Sequence, residues 1–125
     1  IMNTNPLKTY RDINNVIKLI IKKKSDSVIA VNQLFDHHPA RIKKIEKGRL
    51  FDFSIKEKLE SRRQDLKPLA YIRSGSIYAM SRDYVLKEKR YVSSKSIPYI
   101  LPLKRVMNID IPEDLYLAKL RLNEK

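Results

Sequence analysis

The chain has 125 residues and a formal net charge of +13, from 27 lysines and arginines against 14 aspartates and glutamates. It contains no cysteine, which excludes a disulfide scaffold and thiolate metal sites. Its two glycines, Gly48 and Gly75, exclude a glycine-rich phosphate loop within these residues. No stretch approaches the ~20 apolar residues that a membrane-spanning helix needs. We therefore expect one compact domain or part of a larger one, without a membrane partner and in the reducing cytoplasm.

The surplus of positive charge has two interpretations. It is typical of proteins that bind nucleic acid or another polyanion. It is equally typical of a solvated, lysine-rich surface, because lysine, isoleucine and asparagine are all abundant in this sequence. The run of three lysines from Lys22 to Lys24 closes a predicted helix, where cations stabilise the negative end of the helix dipole.

Periodicity in the first half of the chain predicts an α/β unit followed by a hairpin. Apolar residues at helical spacing indicate one helix, and a short β-branched run after it indicates a buried strand. Apolar residues that alternate inward and outward around Gly48 indicate the hairpin, and the charged stretch after it is expected to leave the main sheet. In order, these elements are a strand end and loop over Ile1–Thr9, the helix Arg11–Lys24 with Ile13, Val16, Ile17, Ile20 and Ile21 on its apolar face, the strand Ser27–Val31, the hairpin Arg41–Phe53 with Ile42, Ile45, Leu50, Phe51 and Phe53, and the charged stretch Ser54–Gln64.

Strand and helix signals alternate again in the second half. Gly75 marks a bulge or a close backbone approach within a long strand, and Pro112 with two acidic residues after it marks the start of the last helix. The predicted elements are the strand Tyr71–Met80, a short helix Arg82–Lys89, the strand Ser96–Leu101, a strand or strand exit at Val106–Asp110, and a final helix from Ile111 with Leu115, Ala118 and Leu122 on its buried stripe. This order supports an α/β fold with an inserted β excursion.

Five short motifs in a fixed order are more specific than the fold class. They are Ile1 to Thr9, Asp36-His37-His38-Pro39, Arg62-Arg63-Gln64-Asp65-Leu66, Ser74-Gly75-Ser76-Ile77-Tyr78 and Asn108-Ile109-Asp110-Ile111-Pro112-Glu113-Asp114-Leu115. In this order they resemble the acylneuraminate cytidylyltransferase family, the CMP-sialic acid synthetases and their legionaminic and pseudaminic acid relatives. The resemblance covers nearly the whole chain.

The resemblance implies a Rossmann-like nucleotidyltransferase fold, of which residues 1–125 form the C-terminal portion. The family's N-terminal nucleotide-binding strand and loop have no counterpart in these residues, so the chain is expected to begin in the middle of the fold and to bind CTP poorly by itself. Residues 39–68, approximately, correspond to a β-hairpin excursion for dimerisation and sugar binding. The resemblance therefore also implies a homodimer.

The family activates a nine-carbon 2-keto sugar acid with CTP and releases pyrophosphate, with Mg²⁺ as cofactor. The anomeric hydroxyl attacks the α-phosphorus in line, so the nucleophile must be held in place and the phosphate charge neutralised. The resemblance thus implies a Mg²⁺-dependent enzyme whose partners are CTP and a nonulosonic acid, and not a nucleic acid.

Asp110 matches the second aspartate of the family's Asp-Ile-Asp metal motif. Side chains of residues 108 and 110 lie on the same side of an extended segment, and oxygen ligands suit Mg²⁺. Asn108 stands in place of the first aspartate and offers an amide oxygen without charge. The alternative role for Asp110 is to cap the last helix, which is compatible with the first.

Arg63 matches the family's sugar-binding arginine, and Gln64 stands beside it in the same motif. A planar guanidinium suits the carboxylate of a sugar acid, because it can donate two parallel hydrogen bonds. The alternative is a solvated arginine beside a charged stretch. Arg41 stands at the position of a second cation that contacts the sugar in the family.

Tyr78 and Tyr91 are the aromatic candidates for substrate binding, since the family places aromatic side chains near the sugar and its acyl group. The alternative for both is ordinary core packing. For His37 and His38 we expect a structural role, because adjacent residues on an extended chain point apart and do not form a joint metal site. Met2 stands where the family has a sugar-contacting glutamine, whose hydrogen bond a thioether cannot donate.

Two other functions stay open. A sister sugar nucleotidyltransferase, for instance one acting on 3-deoxy-manno-octulosonate, would share the fold, although Arg62-Arg63-Gln64 argues against it. A non-catalytic basic module would bind RNA or DNA through the +13 surface, with an affinity that falls steeply with salt for any sequence.

Overall fold

A computed structural model describes residues 1–58 and 62–123. They fall into two compact units, one formed by Ile1–Asn32 and Arg73–Lys125 and the other by Gln33–Ile72. The described chain is a mixed α/β protein with three α-helices, a three-stranded mixed sheet and a two-stranded sheet. Within these residues, none of the helices is long and apolar enough to cross a membrane.

The helices and strands follow the order that the sequence predicts. Those up to Leu101 begin and end within one or two residues of the predicted bounds, whereas Val106–Asp110 forms no strand. The elements are α1 (Tyr10–Lys23), β1 (Ser27–Gln33), β2 (Lys43–Glu46), β3 (Arg49–Asp52), β4 (Tyr71–Met80), α2 (Arg82–Glu88), β5 (Ile97–Ile100) and α3 (Pro112–Asn123).

The three-stranded sheet has the order β4-β1-β5, and one layer of apolar residues joins it to α1. β1 and β5 are parallel, with Val28 opposite Ile97. The Ser81 N–H donates to the Asp26 carbonyl at one end of β4, and β4 runs antiparallel to β1, which makes the sheet mixed. The core consists of Val16, Val28, Ala30 and Ile77, with Ile13, Leu19, Ile20, Ala79, Ile97 and Tyr99 packed against it.

The apolar face predicted for α1 is only half buried. Val16 is in the core, but Ile17 and Ile21 are exposed, and Leu19 packs against the core instead. A stripe on a helix is buried only as far as the element beneath it extends, and in the described residues this sheet has three strands.

The buried stripe predicted for α3 is confirmed at Ala118 and wrong at Leu115 and Leu122. Ala118 is buried against Leu7 and Met107, but Leu115 and Leu122 are exposed to 46% and 41%. The small alanine side chain lets the helix approach this second apolar cluster closely on one narrow line. Periodicity identifies the apolar side of a helix but not how much of that side finds a partner.

The unit of Gln33–Ile72 contains the predicted hairpin, formed by β2 and β3. Lys47 and Gly48 both have positive φ, of 50° and 73°, as a two-residue hairpin turn of type I′ requires. The five apolar residues expected to alternate inward and outward are all exposed, namely Ile42, Ile45, Leu50, Phe51 and Phe53. Of the charged stretch predicted after the hairpin, residues 59–61 lie outside the described part of the chain.

Candidate functional site

Three of the five sequence motifs meet in the unit that contains the three-stranded sheet. The Met2 N–H donates to the Ser76 carbonyl of β4 at 3.0 Å, and the Ile109 N–H donates to the Thr4 carbonyl at 2.9 Å. The opening segment thus lies between the middle of β4 and the segment that carries Asn108 and Asp110. Motifs that are about a hundred residues apart in sequence are joined by main-chain hydrogen bonds.

Asn108 and Asp110 form an exposed pair at the edge of this arrangement. The Asn108 amide donates to the Asp110 Oδ2, so both side chains lie on the same side of the segment, as the alternation of an extended chain predicts. The last helix is capped by Asp114 and not by Asp110, for which capping was the alternative role. The Asp114 carboxylate accepts hydrogen bonds from the Asp110 and Ile111 N–H groups at 3.0 and 3.1 Å and thereby caps the start of α3.

The Asn108–Asp110 pair suits a metal that is shared with a phosphate ligand. Residues 1–58 and 62–123 contain no group of three or more His, Cys, Asp or Glu side chains that could hold a metal ion. The pair therefore offers at most one carboxylate and, after rotation of the amide, one carbonyl oxygen. Mg²⁺ is commonly held by one or two carboxylates together with substrate phosphates and water, so these residues fit it in that form and do not form a complete cage.

Tyr78 and Tyr91 lie side by side in the same unit. Their ring centroids are 6.1 Å apart and their planes are tilted by 52°, a geometry that aromatic pairs favour. Tyr91 is 67% exposed, so the core-packing alternative does not apply to it. Ser74 and Ser76, which precede Tyr78 in the motif, are buried and hydrogen-bond to each other across the positive-φ Gly75.

A pocket of about 390 Å³ lies entirely within the unit of Gln33–Ile72. Two motifs contribute to its wall, since His38, Arg63 and Gln64 all line it together with Phe35. The rest of the lining is Gln33 together with four apolar residues, namely Leu34, Leu66, Leu69 and Ala70. This volume lies in the usual range for small-molecule sites, which is about 300–1,000 Å³.

Arg63 is oriented by two neighbours that precede the histidine pair. Its guanidinium carbon lies 5.1 Å from the centre of the Phe35 ring, and its Nη1 is 3.1 Å from the Asp36 Oδ1. The side chain remains 49% exposed. A guanidinium carries five N–H groups in a planar fork, so a carboxylate ligand can bind it beside or in place of Asp36.

His38 is buried and both of its ring nitrogens contact the backbone. Nε2 lies 2.8 Å from the Pro68 carbonyl, and Nδ1 accepts a hydrogen bond from the Ala40 N–H at 3.2 Å. Since Nδ1 is an acceptor, Nε2 carries the N–H and donates a hydrogen bond to the Pro68 carbonyl oxygen. The ring therefore ties the start of the excursion to the chain after Arg63, which is the structural role expected of it.

Arg41 lies in an ion-pair network and is not among the described residues that line the pocket. Its Nε is 3.8 Å from Glu57, which also binds Lys43. Lys43 contacts Asp52 as well, and these contacts raise the pKa of Lys43 and lower that of Asp52. A larger cleft of about 810 Å³ lies beside α2 and residues 90–95, but its lining contains none of the predicted site residues.

Comparison of the chain with protein-family models gives no match, and comparison with curated proteins gives none either.

Sequence reasoning missed two groups of residues around these motifs. Phe35 and Asp36, which orient Arg63, directly precede the histidine pair, and the position of Asp36 in that motif was a usable signal. The second group is Asp12 with its partner Arg105, since Asp12 is a completely buried carboxylate that was not singled out from the sequence. The spacing Thr9-x-x-Asp12 is that of a capping box and could have drawn attention to Asp12, but not to its distant partner Arg105.

Proposed function

We propose that this chain is the C-terminal portion of a cytidylyltransferase with a Rossmann-like nucleotidyltransferase fold. The enzyme activates a sialic-acid-like nonulosonic acid with CTP and forms the CMP-sugar and pyrophosphate. The observation that carries this proposal is the pocket lined by His38, Arg63 and Gln64, because two of the family motifs contribute to one cavity of ligand size.

The substrate carboxylate is the natural partner of Arg63. Phe35 supports one face of the guanidinium and Asp36 fixes its rotation, so the planar fork is oriented before a ligand arrives. Gln64 supplies amide groups that can donate to and accept from sugar hydroxyls. Tyr78 and Tyr91, whose ring centroids are 6.1 Å apart, are the proposed aromatic contacts of the substrate, and Arg41 is a further candidate contact.

Asp110 and Asn108 are the proposed ligands of Mg²⁺. The bound ion supplies charge neutralisation for the triphosphate and for the pyrophosphate that leaves. Asp110 contributes the one negative charge of the pair, so we expect its removal to have the larger effect. The absence of charge on Asn108 favours a metal that binds together with CTP rather than ahead of it.

Exposed apolar residues on the hairpin support the proposed homodimer. Ile45 and Leu50 face each other across β2 and β3 and are exposed to 75% and 70%. Burial of such a pair against a second copy would remove apolar surface from water. We expect light scattering to show a dimer that Ile45→Glu dissociates and Lys44→Glu, on the opposite face of the hairpin, leaves intact.

The function is tested by pyrophosphate release from CTP in the full-length protein that carries this chain. We expect release to require Mg²⁺ and a nonulosonic acid, and not to proceed with 3-deoxy-manno-octulosonate. The cytoplasm, where CTP is made and used, is the proposed compartment. Binding of RNA or DNA that weakens steeply with salt, without any pyrophosphate release, would support the basic binding module instead.

Arg63→Ala and Arg62→Ala form a matched pair for this assay. Both remove one charge from the same segment, but Arg62 is exposed to 73% and pairs with Asp65. Charge-assisted hydrogen bonds contribute about 1.5–3 kcal/mol each, so loss of the two that Arg63 donates to a carboxylate lowers kcat/KM by at least about 100-fold. An equal effect of the two substitutions would remove Arg63 from the site.

A further inference from the structure

Asp12, in the first turn of α1, is a completely buried carboxylate with hydrogen bonds at both oxygens. Oδ1 accepts from the Arg105 guanidinium at 2.7 Å and from the Tyr99 hydroxyl at 2.9 Å. Oδ2 accepts from the Thr9 N–H and from the Thr9 hydroxyl, both at 2.8 Å. A buried charge is tolerated only with such partners. The network joins the start of α1 to residues 99 and 105, which lie about ninety residues later in the chain.

Arg105 is held by two separate contacts with the first twelve residues. Its guanidinium binds Asp12, and its carbonyl accepts a hydrogen bond from the Asn5 amide at 3.1 Å. The buried Nε of Arg105 has no hydrogen-bond partner among the described residues. Asp12 thus fixes the orientation of the guanidinium through Nη2, while Nε is left without a partner. An unsatisfied buried donor costs free energy, which the ion pair must outweigh.

The segment after Arg105 is anchored at every second residue. Met107 is buried against Leu7, and Ile109 packs beside it and donates its N–H to Thr4. Arg105 ends a short 3-10 helix, Leu103–Arg105, and the chain is extended from Val106 onward. Because side chains of an extended segment alternate between two sides, the inward anchors at residues 107 and 109 direct the side chains of Asn108 and Asp110 to the other side. This is the exposed side on which the proposed Mg²⁺ ligands lie.

We propose that Asp12 and Arg105 are positioning residues for the Asn108–Asp110 metal pair. The inference rests on the metal role proposed above and extends it to a buried ion pair that touches neither ligand. A site with two protein oxygens has no third ligand to correct a misplaced segment, so its affinity depends on how well that segment is held. Arg105 is the charged residue that holds the start of this segment, and Asp12 is the group that fixes the Arg105 side chain.

The test uses Mn²⁺ as a paramagnetic probe of the site in the full-length protein. Mn²⁺ is titrated while line broadening of the residue 108 and residue 110 amide signals is followed by NMR, so the readout does not depend on turnover. Asp110→Ala serves as the reference that removes the ligand itself. Arg105→Met is compared with Lys104→Met, which removes a neighbouring exposed cation.

We expect Arg105→Met to weaken Mn²⁺ binding by about tenfold, the lower end of the usual effect of residues behind metal ligands, and Lys104→Met to leave it unchanged. Tyr99→Phe removes one hydrogen bond to Asp12 and keeps the ion pair, so it should fold and weaken binding less than Arg105→Met does. Arg105→Lys should restore part of the affinity, because it keeps the charge without the planar fork.

The outcomes separate the two levels of the proposal. Loss of thermal stability in Arg105→Met and Tyr99→Phe without any change in Mn²⁺ affinity would make the network purely structural and overturn the positioning role alone. Absence of broadening at residues 108 and 110 in the unaltered protein would overturn the metal role of Asp110 and the positioning role with it. Sugar-acid binding at Arg63 is unaffected by either result.

Discussion

Replacement of Asp12 by asparagine is the sharpest test of the buried network, because it keeps the shape and removes the charge. Each oxygen of Asp12 faces one donor that cannot become an acceptor. These are the Arg105 Nη2 at Oδ1 and the Thr9 backbone N–H at Oδ2. Whichever way the asparagine amide turns, its NH₂ group meets one of them, so one hydrogen bond is lost and replaced by a repulsive contact.

The size of the effect follows from the burial of the partner. Breaking a buried ion pair by removing one member costs about 3–5 kcal/mol. The side chain of Arg105 is 21% exposed and remains partly solvated, which places the loss near the lower end, at about 3 kcal/mol. For a domain of this length, each kcal/mol lowers Tm by about 4 °C, so we expect Asp12→Asn to melt about 12 °C below the unaltered protein.

Thermal unfolding followed by circular dichroism at neutral pH measures this difference. Asp83→Asn is the matched control, because the Asp83 side chain is 96% exposed and its replacement should change stability by less than about 0.5 kcal/mol. Equal melting temperatures for Asp12→Asn and Asp83→Asn would refute the reasoning. They would mean that removing the charge of Asp12 leaves no unpaired charge on Arg105 that destabilises the fold.

Three further outcomes follow from the same structure. Burial acts to raise the pKa of Asp12, but hydrogen bonds from Arg105, Thr9 and Tyr99 bring it below the ordinary value of 3.8. The ionised carboxylate therefore stabilises the fold fully above that pH, and this stabilisation is lost as pH falls through the lower native pKa. When the free energy of unfolding is followed during acid titration, it should fall less steeply in Asp12→Asn than in the unaltered protein. Ile77→Ala, in the core of the sheet, should cost about 2–5 kcal/mol in urea unfolding, whereas Ile72→Ala on the same strand, 52% exposed, should cost little. His38→Phe leaves two backbone groups of the pocket unit without their partners, the Pro68 carbonyl and the Ala40 N–H. It should lower the free energy of unfolding by about 1–3 kcal/mol and increase hydrogen exchange at the Ala40 amide. An equal effect of His37→Phe, at an exposed position, would contradict this.

The candidate site was predictable where it depends on local sequence. The exposed pairing of Asn108 with Asp110 follows from the alternation of an extended segment, and the turn at Lys47-Gly48 follows from the need for positive φ. The role of Asp114 as the cap of α3 was not assigned, although an acidic residue in the first turn is a recognised signal.

Other features of the site could not be predicted because they depend on residues far away in the chain. The contact of Arg63 with Phe35 and Asp36 joins two motifs across the hairpin, and the spacing of neither motif requires it. Arg105 reads as an ordinary surface cation near a short turn, and its partner Asp12 lies 93 residues earlier.

The sequence alone determined the order of helices and strands, their approximate bounds and the five ordered motifs, because the periodicity of apolar residues and the chemistry of turns are local properties. Only the tertiary structure decided which apolar positions are buried. Leu115 and Leu122 of α3 remain exposed while Ala118 meets Leu7, since burial depends on the partner surface and not on the helix. The partners of buried charges were also decided by the tertiary structure. Folding brings Arg105 and Tyr99 to Asp12, and no local sequence pattern predicts these two contacts.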